Sequence, residues 1–258
     1  MSRQAEDSGA PRWTLPRRSA AGGRTLLTYS DLDFPGLAHG IVVFRDLAVG
    51  TPHERWAGAV REALSVDSPI AGMPLGLPIQ IHGKRIVALG GAGAGEIGEA
   101  DGLVTSRRGE AIAVSVADCL PLLAFDAERA VAGVAHCGWR GVAAGVVEEF
   151  VESMRNLGAG GGTGFVIGAG IGVCCYEVGA DLLKEFAPGE VARFAAVTAG
   201  RTKFDLKLAA AGRLIDCGVP PGCISIDKTC TSCNKELLSS YRADGAACGR
   251  MIAFVALR

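Results

Sequence analysis

The stretch AIAVSVADCLPLLAFDAERAVAGVAHCGWRG, residues 111–141, decides the fold. Residues 111–117, 121–125 and 130–135 read as three apolar strands. Residues 141–157 then switch to helical spacing through Val142, Gly145, Val146, Glu149, Phe150 and Met154. If Asp126-Ala127-Glu128-Arg129 form the turn between the second and third strands, Phe125 faces Ala130 and Cys119 faces His136. Directly opposed residues of an antiparallel pair hold their Cβ atoms about 4.5–5.5 Å apart. That reach lets one thiolate and one imidazole share a zinc ion, with Zn–S near ~2.3 Å and Zn–N near ~2.0 Å. A one-residue slip would turn the two side chains to opposite faces. Pro121 restricts this part of the pairing to an edge or a bulge.

Other elements follow on either side. Residues 54–65 place Trp56, Val60 and Leu64 four apart, one apolar helical stripe. Pro78-Ile79-Gln80-Ile81-His82 alternates like a half-buried strand that Gly83 ends. Phe165-Val166-Ile167 reads as a buried strand and residues 252–257 as a last one. Residues 206–217 read as a helix stopped by Gly218 with Pro220 and Pro221 beyond it. Gly90–Gly98 reads as a glycine loop, since no strand–turn–helix frames its superficial dinucleotide-like pattern. Strands with helices between them define an α+β fold, an α/β sandwich of mixed sheets flanked by helices. Residues 26–258 form one domain, and residues 1–25, rich in Arg, Ser, Gly and Pro, are expected to be a disordered tail.

The 258 residues carry 26 Lys plus Arg against 27 Asp plus Glu, a net charge of -1, which disfavours a polybasic nucleic-acid or membrane-surface protein. No run approaches the roughly 18 apolar residues of a membrane span. Nine cysteines, an odd number, sit in a chain longer than disulfide-dependent scaffolds. With no apolar leader segment, reduced thiols in the cytoplasm are the simplest expectation.

His82 supplies the natural third ligand beside Cys119 and His136, because it ends its strand next to Gly83. Three protein ligands with a free fourth position is the layout of a catalytic zinc; copper would also accept imidazole and thiolate. Gln80, two residues before His82, shares its strand face and is placed to reach a substrate amide. Asp118 turns to the other face from Cys119, to orient a ligand or to cap a turn. Arg140 stands at the start of a helix, where its charge opposes the dipole; a substrate-binding or buried-pair role explains that placement, with an ordinary solvated arginine as the alternative. Cys230-x-x-Cys233 is half of a zinc ribbon without its matching pair and reads as two buried thiols, and the adjacent Cys174-Cys175 pair bridges only with strain.

Gln80-Ile81-His82-Gly83, Ala117-Asp118-Cys119-Leu120-Pro121 and His136-Cys137-Gly138-Trp139-Arg140-Gly141 resemble the signature blocks of the YfiH family. It is also called the laccase-domain, multicopper polyphenol oxidoreductase or peptidoglycan-editing-factor family. Ile167 to Gly172, Cys174 to Val178, Phe204-Asp205-Leu206, Thr229-Cys230-Thr231 and Ser240 to Gly245 with Gly249-Arg250 continue the series. The resemblance covers roughly residues 36–258. It implies a zinc on His82, Cys119 and His136. It further implies phosphorolysis of adenosine, inosine, guanosine and methylthioadenosine, with adenosine deamination. A nucleoside and phosphate are then the partners, and the oligomeric state stays open. Phosphate calls for arginine, for which Arg45, Arg242 and Arg250 are candidates. Tyr176 is placed to stack on a purine.

Departures from the family pattern concern the substrate wall. The usual Phe-Ser-Thr-Arg reads Ile41-Val42-Val43-Phe44-Arg45, and the Gly-Gly-Val-Ser and Asn-Leu-Gly runs are missing. Leu237-Leu238-Ser239 stands for the aromatic pair before Ser-Tyr-Arg, and Ala243 for a second arginine. A true multicopper cluster needs more imidazoles than four histidines provide. A metal-free Cys119–His136 hydrolase and a non-catalytic role in cell-wall editing are the remaining alternatives.

Overall fold

The computed structural model describes residues 10–21, 23–89 and 97–258. Most of the expected glycine loop Gly90–Gly98 lies outside the described residues.

Two sheets stack face to face, each with helices on its outer side. The first has seven strands in the order Arg12–Thr14, Ile224–Asp227, Gly164–Ile167, Leu120–Asp126, Val131–Cys137, Gly102–Thr105 and Ile86–Leu89. The second has six: Arg17–Ala21, Arg24–Thr28, Leu37–Phe44, Arg250–Leu257, Ala111–Val116 and Leu75–Gly76. Both mix parallel and antiparallel pairs. Alternation along the central strands divides the core. Leu123, Phe125, Ala132 and Val134 pack between the sheets with Ile112, Val114, Met251, Ala253 and Val255. Leu122, Ala124, Val131 and Ala135 face outward onto helices Val146–Asn156 and Leu206–Asp216. On the far side, helix His53–Leu64 buries Trp56, Val60 and Leu64 against the second sheet, as its four-residue spacing predicts. The α+β sandwich is therefore a helix–sheet–sheet–helix stack.

Four local expectations need correction. The strand predicted at Pro78–His82 is reduced to a single bridge between Ile79 and Glu99. His82 itself sits at φ 59°, so the chain bends there rather than continuing a strand. The helix predicted over 141–157 is two helices, Trp139–Ala144 and Val146–Asn156, broken where Gly145 adopts φ 99°. The tail expected at 1–25 holds strands Arg12–Thr14 and Arg17–Ala21 and the start of Arg24–Thr28. Arg12–Thr14 adds to the first sheet beside Ile224–Asp227, and Arg17–Ala21 pairs with Arg24–Thr28 on the edge of the second. Exposed edge strands carry few apolar residues, so composition alone made them look unstructured. Residues 1–9 lie outside the described residues.

The hairpin register also differs. Val131 pairs with Asp126 and His136 with Pro121, so the turn is Ala127–Ala130; the ladder ends at Cys137 and Leu120, and Cys119 and Gly138 follow as the next residues beyond it. The displacement is one pair along the ladder, an even number of residues, so it preserves faces. Cys119 and His136 still project from the side shared with Leu123 and Val134, toward the space between the sheets.

Candidate metal centre and active-site cavity

His82, Cys119 and His136 converge at the end of the hairpin, with their ligand atoms all within 4.8 Å of one another. The two imidazoles meet edge to face, ring centroids 4.7 Å apart. Gly138 makes this approach possible, since a Cβ there would stand 3.1 Å from Cys119 Sγ and 3.1 Å from His82 Cδ2. Two nitrogens and a sulfur form a borderline-soft donor set suited to a divalent transition metal. Three protein ligands leave room for a fourth from solvent or substrate.

The electrostatics fit metal-ligand chemistry. Burial pushes the Cys119 thiol up, but the charges and hydrogen bonds of His136 and His82 outweigh it and hold the thiol down to about 6. Burial pushes His136 the other way, yet the Cys119 thiolate and the Asp101 carboxylate raise it to about 9. Both shifts state that a negative sulfur and nearby positive charge stabilise each other here.

Asp101 is the residue that sequence reasoning missed. It is fully buried, and its Oδ1 accepts from His136 Nδ1 at 2.9 Å. That leaves His136 Nε2 as the nitrogen that a metal would take, displacing its proton. The same carboxylate accepts the backbone N–H groups of His82 at 2.9 Å and Gly83 at 2.7 Å, which holds the bend that aims His82 inward. His136 N–H in turn donates to Asp101 O at 2.7 Å. One side chain thus orients two ligands from separate segments. The signal available was an acidic residue before a strand, indistinguishable in sequence from a turn cap.

The trio lies in a cavity of about 570 Å³. Trp56, Trp139, Tyr176 and Tyr241 contribute aromatic wall, and Ile79, Val116 and Ile171 contribute aliphatic wall. This is ordinary volume for a small-molecule site. Tyr176 is nearly buried, which raises its phenol pKa and keeps the ring neutral. Arg140 is exposed at the cavity with its guanidinium 4.5 Å over the Trp139 ring, and among the described residues it makes no salt bridge.

Other expected site residues have different surroundings. Gln80 borders the cavity, but its amide donates to Ser115 O at 2.8 Å and accepts from Ser115 N at 2.7 Å. It is a clasp on the sheet edge rather than a free substrate hook. Asp118, at φ 80°, accepts from Thr231 Oγ1 at 2.5 Å and from Arg242 N at 2.6 Å, so its carboxylate ties down two distant loops. Arg242 does not line the cavity; its guanidinium donates to Cys175 O and Glu177 O at 3.1 and 3.0 Å and lies 5.5 Å over Tyr176. Arg250 lines the cavity yet donates to Ser115 Oγ, Val49 O and Thr51 O and stacks 4.8 Å over Trp56. Arg45 is outside, donating to Glu236 O. Backbone carbonyls of distant loops, invisible in a linear motif, engage part of each of these three guanidinium groups, while Arg250 Nε is buried without a hydrogen-bond partner. His39 accepts the Tyr29 N–H and His53 contacts Pro78 O, so neither joins the trio.

Residues 49–258 match the family described as multi-copper polyphenol oxidoreductase laccase, and the chain belongs to that family. The match begins beyond Arg45, after the block in which the sequence departs from the family pattern. The chain is similar to the purine nucleoside phosphorylase YlmD of Geobacillus stearothermophilus, 34% identical over 69% of this chain and 70% of the relative. It is also similar to a purine nucleoside phosphorylase of Deinococcus radiodurans, 36% identical over 69% of this chain and 68% of the relative. A third relative, the adenosine deaminase RL5 from an unidentified prokaryote, is 32% identical over 58% of this chain and 59% of its own length. The crystal structure of Geobacillus YlmD superposes with a TM-score of 0.79 at 27% identity, covering 95% of this chain and 99% of that one. That of Bacillus licheniformis YfiH gives 0.77 at 26% identity, over 90% and 96%. Among the described residues no helix is long and apolar enough to cross a membrane.

Proposed function

We propose that the protein is a zinc-dependent purine nucleoside phosphorylase, acting on adenosine, inosine, guanosine and methylthioadenosine, with adenosine deaminase activity. The carrying observation is a His-Cys-His set at an aromatic-walled cavity, in a chain whose relatives bear those enzyme names. His82 and His136 nitrogens and the Cys119 sulfur would hold the ion. When bound, zinc supplies Lewis acidity and a bound water whose pKa falls from ~15.7 toward ~7.

The remaining work falls to the chain. Asp101 keeps His136 in one tautomer and so keeps the ligand geometry ready before substrate arrives. Tyr176 and Trp139 offer ring faces to the base. Arg140, whose guanidinium has no carboxylate partner among the described residues, is assigned the phosphate, in place of Arg45, Arg242 and Arg250. Arg242 positions Tyr176, and Asp118, at the cavity wall, ties down the loops around it. Nine unpaired cysteines suit a reducing, cytoplasmic setting.

Incubation of adenosine with the purified protein tests this directly. Adenine and ribose 1-phosphate with phosphate present, and inosine in its absence, are the expected products; unchanged adenosine in both would overturn the reading.

One observation favours a second reading. Cys119, His136 and Asp101 form a nucleophile–base–orienter chain, with the thiol held down to about 6. A metal-free hydrolase of that kind would keep full turnover after zinc is stripped by a chelator, and alkylation of Cys119 would abolish it. The phosphorylase reading expects chelation itself to abolish activity.

A further inference from the structure

A second group of soft ligands lies apart from the cavity trio. Cys174 and Cys175 follow strand Gly164–Ile167, and Cys230 and Cys233 follow strand Ile224–Asp227. These two strands are parallel neighbours, so the chain leaving each emerges at the same end of the sheet. There the four Sγ atoms lie within 4.8 Å of one another. Cys233 Sγ is 3.5 Å from Cys174 Sγ and 3.4 Å from Cys175 Sγ. Sulfurs at the corners of a tetrahedron, each ~2.3 Å from a central zinc, stand about 3.8 Å apart. The two Cys233 separations lie just below that value, and no pair among the four exceeds 4.8 Å.

Of the four sulfurs, Cys230 has its own backbone donor. Gly172 N–H donates to Cys230 Sγ at 3.2 Å. Gly170 and Cys230 form a bridge, and Thr231 N–H donates to Gly170 O at 3.1 Å, so the two segments are zipped together behind the sulfurs. Gly172 is required for this closeness, because a Cβ there would meet Cys230 Cβ at 3.1 Å and Cys174 Sγ at 3.2 Å. The buried Lys207 ammonium donates to Asp227 O and Thr229 O at 2.5 and 2.8 Å, which plants a positive charge beneath the cluster. A tetrathiolate around a divalent ion carries net charge of about −2, and a buried cation offsets part of it.

We propose that Cys174, Cys175, Cys230 and Cys233 form a second metal site, which takes Zn²⁺ as a tetrahedral tetrathiolate. All four positions are protein ligands, so this site is closed and structural where the cavity trio is open. Its place in the fold assigns it a task. It staples the segment carrying Ile171 and Tyr176, which wall the cavity, to the loop that hands Thr231 to Asp118.

The test is metal counting on the full chain, expressed with zinc, purified under a thiol reductant and desalted. Native mass spectrometry and elemental analysis are expected to find two zinc ions in the wild type. One is expected in Cys230→Ser/Cys233→Ser and one in His82→Ala. Cobalt reports ligand type independently: of five thiolates bound to Co²⁺ in the wild type, four belong to this site. Thiolate-to-cobalt absorption should therefore fall by about four-fifths in the double serine variant and by much less in His82→Ala. The wild-type count needs no variant, and Cys174→Ser, at an exposed position, guards against a double variant that fails to fold. A wild type holding one zinc that His82→Ala abolishes would overturn the proposal. So would a reductant-purified chain lighter by two hydrogens per bridge, with these cysteines joined as disulfides.

Discussion

The molecule gathers sulfur in two places, and the two are built on opposite plans. At the cavity, one thiol is mixed with two imidazoles, a buried carboxylate orients both histidine segments, and aromatic rings leave open volume beside the donors. At the strand ends, four thiols face one another, backbone N–H and a lysine supply the counter-charge, and no imidazole enters. Mixed ligands with a carboxylate behind them suit a metal that must exchange a ligand, whereas a sulfur-only shell suits one that must not. The difference teaches that ligand type and what stands behind the ligands, more than ligand count, separate a reactive centre from a staple.

The sharpest break between the two comes from removing a ligand of the trio. His82→Ala, Cys119→Ala or His136→Ala should each lower turnover about a thousandfold or more, roughly 4 kcal/mol of barrier, and remove one zinc while leaving the tetrathiolate metal in place. Steady-state kinetics beside elemental analysis reads both. Loss of both metals together would show that the regions are not independent.

Asp101→Asn asks whether the carboxylate behind the ligands matters as much as the contrast implies. It keeps the shape but loses the charge facing His136 Nδ1 and the backbone N–H groups of His82 and Gly83. Zinc affinity at the trio should weaken roughly 10–100-fold, measured by chelator competition, while the four-cysteine site keeps its ion. Restoration by Asp101→Glu would argue for charge over packing.

Arg140→Ala tests the open side of the cavity. KM for phosphate should rise about tenfold, near 1.4 kcal/mol, with adenosine deamination little changed. Equal losses in both reactions would place Arg140 in base binding or in shaping the wall through its stack on Trp139.

The smallest kinetic effect is expected at the staple. Cys233→Ser should lower Tm by roughly 5–10 °C by discarding bound zinc, yet keep kcat within about threefold, with a modest rise in nucleoside KM as Tyr176 loosens. A collapse in kcat comparable to His82→Ala would erase the distinction between the regions.

Legibility in the sequence followed the range of the interaction. Helix His53–Leu64 and the central hairpin were readable because their apolar periods are local. Cys119 and His136 could be placed on one face from the turn alone, and an error of one pair in register did no harm because faces repeat every two residues. The partners of Gln80 and Arg242 are illegible for the opposite reason. Their side chains end on backbone groups 35 and 65 residues away, which no local pattern encodes. Likewise Cys230-x-x-Cys233 reads as two buried thiols without a matching pair, whereas Cys233 is exposed and Cys174 and Cys175 arrive beside it after the neighbouring parallel strand.

What residue order alone determined, then, is the layering of the sandwich, the faces of its central strands and the donor types held in reserve. Hydrophobic period acts over a few residues and survives small errors of register. Tertiary structure decided which donors meet. Coordination and hydrogen bonding act within about 2–3 Å, and only the packed sheets bring Asp101 under His136 or one cysteine pair against the other.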